Sequence, residues 1–167
     1  MFHTNDYVFY GSGGICKIVD IQMAPLDGMP KDKQYYILHS VHDQSSVMYI
    51  PVDNDRIFLR LLLSREEAEE LMEQIPYITE IDETNSKLLR EKYDEAMRKY
   101  QPQEWVRVIK TVHFRMNEPR TAARRISETE RTFAETAKKH LYTELSLALN
   151  ISVQQVEHYI LECVEQK

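Results

Sequence analysis

"VMYIPVDNDRIFLRLLLSREEAEEL", residues 47 to 71, changes its period part-way along. The first part alternates as a strand does, with Tyr49 outward if Met48 and Ile50 point in. From Ser64 the pattern is helical. Ser64 and Glu67 stand at capping-box spacing, and Leu71 and Ile75 recur on one helical face. The stretch therefore predicts a junction between a β part, residues 1–60, and a helical part, residues 61–167.

Upstream, short runs rich in β-branched and aromatic residues ("YVFY", "ICKIVDIQM", "QYYILHSV", "SVMYIPV") are separated by turn-forming "GSGG", "PLDGMPKD" and "HDQSS". Such spacing predicts a small antiparallel barrel or curled sheet. All four glycines (Gly11, Gly13, Gly14, Gly28) fall in this part. The "GSGG" run lacks the Lys-Ser/Thr of a phosphate loop and is followed by a strand, so no helix N-terminus is offered to a phosphate. It is read as the tight reversal between two strands.

Downstream, "SKLLREKYDEAMRKY" repeats Leu89, Tyr93, Met97 and Tyr100 at helical spacing. "QEWVRVIKTVHFRM" puts Trp105, Val108, Ile109, Val112 and Met116 on one stripe, with Pro102 before it and Pro119 after. Ser127 with Glu130 predicts a second capping box and a long helix closed by Asn150, and Ser152 with Gln155 opens a last one. The expected fold is α+β, a small β-barrel followed by about five helices.

With 167 residues, a net charge of −6 and no apolar run of membrane length, the chain reads as a soluble cytoplasmic protein. Its start, "MFHTND", resembles no export signal. Acid excess opposes binding of nucleic acid by bulk electrostatics. The charge is uneven: residues 61–100 hold six Lys+Arg against eleven Asp+Glu, and residues 101–167 hold ten against nine. Cys16 and Cys163 are far apart and read as packing residues. The six histidines form no metal-binding motif, and no nucleophile elbow or paired-carboxylate motif appears, so neither a metal, a cofactor nor an enzyme is expected. Arg120, Arg124, Arg125, Arg131, Lys138 and Lys139 form the one basic concentration that suggests phosphate contact.

The opening stretch also resembles the CarD/CdnL family of bacterial transcription regulators, whose N-terminal module is shared with the transcription-repair coupling factor. Ile50, Pro51, Val52, Asp53 and Asn54 match the family's Val-Pro-Val-Asp-Asn-like strand end. Near the start, Asp6, Tyr7, Val8 and Tyr10 match, while Asn5 replaces a glycine and Gly11 a proline; "QYYILHS" is similar to the next strand. In the helical part, Ser127, Glu130, Ala137, Glu144, Leu145 and Ala148 fall at corresponding places. With no helicase segment, the resemblance is to the stand-alone regulators.

That resemblance implies a Tudor-like (SH3-like) module at 1–60 docking on the β subunit of RNA polymerase, and a helical domain at 61–167 beside promoter DNA at the upstream edge of the melted region. No catalysis, small-molecule substrate, cofactor or membrane is implied. An exposed edge strand pairs readily with a partner strand. The polymerase contact is accordingly expected at Ser46, Val47, Met48, Tyr49, Ile50 and Pro51, where several members have a basic residue in the place of Tyr49. On the DNA side the expected contacts are Asn85, Lys87, Arg90, Arg131, Lys138 and Lys139. Lys87 and Lys138 match places that are basic in the family. Asn85 departs from it, standing where members carry a tryptophan that wedges into the minor groove. Asparagine has too little stacking area for that role. Weak, polymerase-dependent DNA contact is therefore expected, the acidic run from Glu66 to Glu83 opposing any other.

Overall fold

A computed structural model of the chain describes residues 1–11, 13–118 and 126–165. It is α+β and divides into two compact units, Met1–Leu62 and Leu63–Lys167.

The first unit is one antiparallel sheet of five strands: β1 (Tyr7–Tyr10), β2 (Gly14–Met23), β3 (Gln34–Ser40), β4 (Val47–Pro51) and β5 (Leu59–Leu61). Their order is β4-β3-β2-β1-β5, so β4 and β5 are the edges. Tyr10 lies opposite Gly14, which confirms the strand reversal read from the glycines. Gly14 has φ 71°, a conformation that favours glycine, and a Cβ on Gly13 would collide with the Tyr10 ring. A register shift between Ile18 and Asp20 bends β2 along its length. The core of this unit is Val8, Cys16, Ile18, Tyr36, Leu38 and Ile50, with Phe2, Met48 and Leu59 packed against it.

Strand β5 was not among the predicted strands. It is three residues long, and the run "LRLLL" that contains it, residues 59–63, has no sustained alternation to mark a strand. Its pairing with β1 sets Leu61 opposite Val8 and Leu59 opposite Tyr10.

The second unit is helical: α1 (Arg65–Gln74), a 3-10 turn (Ile75–Tyr77), α2 (Ser86–Arg98), α3 (Pro102–Asn117), α4 (Glu128–Leu149) and α5 (Val153–Glu165). The Ser64–Glu67 and Ser152–Gln155 capping boxes both form. Asn150 ends α4 at φ 53°, ψ 48°, the left-handed cap expected of it. Only half of the Ser127 box is made. Ser127 Oγ accepts from the Glu130 N–H (3.1 Å), but the Glu130 carboxylate turns to Arg115, taking Nε and Nη2 at 3.2 and 3.3 Å. Trp105 is fully buried, as its stripe predicts. Met116 departs from that stripe and is exposed, lying in the last turn of α3 beyond Val112, the last buried residue of the helix.

Candidate functional site

The proposed contact residues of the first unit lie on an edge strand. The Val52 N–H donates to the Gln34 carbonyl (2.9 Å) and the Ser40 N–H to the Ser46 carbonyl (3.3 Å). These bonds fix the parity of the β3–β4 ladder. Between them, Tyr36 faces Ile50 and Leu38 faces Met48, so the bonded pairs use Met48 and Ile50. Val47 and Tyr49 fall in the alternate pairs, which turn their N–H and C=O groups away from β3. Pro51 has the same parity, so its missing N–H removes nothing from the ladder. The side chains alternate too. Ile50 is buried and Met48 packs on the core, while Tyr49, opposite Ile37, is on the other face and Val47 is 38% exposed.

Ser46 stands just before the strand in a turn closed by Asp43. The Ser46 N–H donates to the Asp43 carbonyl (2.9 Å), and the Ser45 hydroxyl and N–H donate to its carboxylate, which they hold below the usual carboxylate range. At the far end, Lys33 pairs with Asp53 (3.3 Å). Asn54 accepts from the Arg56 and Ile57 N–H groups and donates to the Ile57 carbonyl. The family-like Pro-Val-Asp-Asn segment thus anchors the end of β4.

Three of the six candidate DNA contacts of the second unit, Asn85, Arg131 and Lys138, are engaged within it. Asn85 is the N-cap of α2: its side-chain oxygen accepts the Leu88 N–H at 3.0 Å. Its own N–H donates to Glu83, the chief reason that carboxyl titrates below its ordinary value, with Lys92 adding to the effect. Lys87 and Arg90 are exposed on the first turns of α2. They border a groove of about 740 Å³ among α2, α3 and the start of α4, whose lining has five carboxylates against Lys87, Arg90 and Arg115. Tyr93, buried there, tilts against Phe133 of α4 at 5.5 Å between ring centres. Burial, and then the nearby Glu130, push its phenol far above the usual range, with Arg115 partly offsetting them.

On α4, Arg131 pairs with Glu128 (4.0 Å) and Lys138 with Glu135 (3.5 Å), so acid and base alternate along one stripe; Lys139 is exposed beside it. Such a stripe presents little net charge to a phosphate chain. The structure thus collects Lys87 and Arg90 at one groove and Arg131 and Lys138 on one face of α4. Arg120, Arg124 and Arg125, and with them part of the expected basic concentration, lie outside the described residues.

Two buried charged residues were missed by sequence reasoning. Lys110 is 1% exposed, and its Nζ donates to the carbonyls of Ile75 (2.7 Å), Ile78 (2.6 Å) and Pro76 (3.4 Å). Glu144, fully buried, accepts the Leu63 N–H at 2.9 Å. The available signal was a lysine between Ile109 and Val112, inside an otherwise apolar stripe. Among the described residues, no helix is long and apolar enough to cross a membrane.

Residues 2–62 match the family model of the CarD-like/TRCF RID domain. The match covers the sheet unit and ends at its border with the helical unit. No curated protein matches the chain.

Proposed function

We propose, from the premise that the sheet unit is a CarD-like/TRCF RNA-polymerase-interacting domain, that the chain is a non-catalytic transcription regulator of CarD type. It docks on the β subunit of bacterial RNA polymerase by adding a strand to the outer edge of β4. The observation that carries this reading is the position of β4 at the end of the sheet order, with the backbone groups of Val47 and Tyr49 turned outward. Backbone pairing supplies affinity, and Val47 and Tyr49 supply selectivity, one being exposed and the other on the face away from the core.

The helical unit then works near promoter DNA and modulates the open complex. Lys87, Arg90, Arg131, Lys138 and Lys139 would meet phosphates, and polymerase would supply the local concentration that the acidic chain cannot achieve alone. A second reading, a polymerase-bound adaptor or competitor without productive DNA contact, is favoured by Asn85 acting as a helix cap and by the pairing of Arg131 and Lys138 with neighbouring glutamates.

Binding of the purified chain to core polymerase, with and without a promoter fragment and at two salt concentrations, separates the two. Promoter-enhanced, salt-sensitive binding is expected for the regulator, and it should be lost when Lys87, Lys138 and Lys139 are neutralised. Binding indifferent to promoter and salt identifies the adaptor. Absence of polymerase binding rejects both.

A further inference from the structure

Tyr77 is 84% exposed, more than any other large apolar or aromatic side chain among the described residues except Met1. It ends the 3-10 turn after α1. One exposed tyrosine needs no special cause, but this one is mounted unusually firmly. Ile75, at the other end of the turn, is fully buried, Pro76 restricts the backbone between them, and the turn packs on α1 and α5. Lys110 ties the carbonyls on both sides of Tyr77, those of Ile75 and Pro76 before it and of Ile78 after it. The ring is therefore presented on backbone already ordered, which lowers the entropy cost of using it in a contact.

The charge around the turn selects the kind of partner. Beyond Arg65, which pairs with Glu69 at 3.2 Å, helix α1 carries Glu66, Glu67, Glu70 and Glu73 and no lysine or further arginine. Helix α5 adds Glu157, Glu162 and Glu165, again with no lysine or arginine, and the Tyr159 hydroxyl donates to the Met72 carbonyl (3.2 Å), which ties α5 to α1. A phosphate backbone is repelled from such a face. A guanidinium or ammonium on a protein surface is attracted to it and can stack on the tyrosine ring.

We propose that Tyr77, with the carboxylates of α1 and α5, forms a second protein-docking surface whose partner is a lysine- or arginine-bearing surface of RNA polymerase. This rests on the polymerase reading above and adds to it. Two linked contacts hold the helical unit on the enzyme independently of DNA, and each raises the effective concentration of the other.

The test is binding of the full chain to polymerase holoenzyme in the absence of DNA. Tyr77→Ala is expected to weaken binding about tenfold at low salt without moving the melting temperature, since the ring is solvent-exposed in the free chain. Tyr77→Phe should retain most of the affinity, Glu73→Lys should lose part of it, and added salt should narrow the gap between wild type and Tyr77→Ala. Equal holoenzyme affinities for wild type and Tyr77→Ala would overturn the proposal. So would a Tyr77→Ala defect seen only when a promoter fragment is present, because the ring would then be acting on nucleic acid. A wild-type chain that fails to bind polymerase rejects the polymerase reading itself, and this contact with it. Wild-type binding that tolerates Tyr77→Ala rejects this contact alone.

Discussion

The edge of β4 and the start of α2 were both expected to meet a partner, and the fold treats them differently. On β4 the groups offered outward, the N–H and C=O of Val47 and Tyr49, lie on the side of the strand that the ladder to β3 leaves unused. At α2 the corresponding candidate, Asn85, has its side-chain oxygen and its N–H occupied by Leu88 and Glu83. A binding site made of leftover backbone groups costs the fold nothing to maintain. One made of a capping side chain has to compete with the helix that side chain starts.

The strongest way to break this comparison is by parity along β4. Val47→Pro removes an N–H that points away from β3, at the first position of the strand, where proline is tolerated. Polymerase binding should fall about a hundredfold while the melting temperature barely changes. Met48→Pro removes an N–H that the ladder uses, and should lower the stability of the sheet unit by about 3 kcal/mol. If both variants unfold alike, or if Val47→Pro binds as wild type, the outer edge of β4 is not the docking strand.

Titration of buried groups sharpens the contrast between the two units at intermediate cost. Burial pushes the Cys16 thiol from 9.0 up to about 11, so the folded sheet unit holds its proton after the unfolded chain has released it. Stability is thus fully present below about pH 9 and declines as pH rises toward 11, by about 2–3 kcal/mol in all. Tyr142 in α4, raised to about 12 by burial and then by Glu157 and Glu135, gives the helical unit its own alkaline limit. Thiolate and tyrosinate absorbance, followed against pH in wild type and Cys16→Ala, should give a shallower decline for the sheet unit of the variant and leave Tyr142 unaffected. An unchanged slope would mean that Cys16 is not desolvated as the structure has it.

What the residues revealed in advance follows from how local each feature is. Ser64 with Glu67, Ser152 with Gln155, and Asn150 act within four positions of themselves, and each was found where its pattern placed it. Glu130 has the same local signature, but Arg115, fifteen residues away, takes its carboxylate instead. Strand β5 exists because β1 offers it an edge, and Lys110 is buried because the turn after α1 presents carbonyls to it. Such partners are far away in the sequence and have no period. The candidate site divided in the same way: the strand identity of residues 47–51 was readable, whereas the cap made by Asn85 was hidden behind its alignment with a tryptophan.

The smallest expected effect decides what Asn85 is for. As an N-cap it should contribute about 1 kcal/mol, so Asn85→Ala loses that much while Asn85→Asp keeps it, because aspartate accepts the Leu88 N–H equally well. Asn85→Trp surrenders the same bond and gains stacking area. If α2 lies in the minor groove when polymerase is bound, that variant should lengthen the lifetime of the open complex although the free protein is less stable. Opposite signs in the two measurements would show that the chain has exchanged a wedge for a cap at this position. A drop in stability with no gain in lifetime would mean that the start of α2 does not reach the groove, and would leave β4 as the site through which the chain acts.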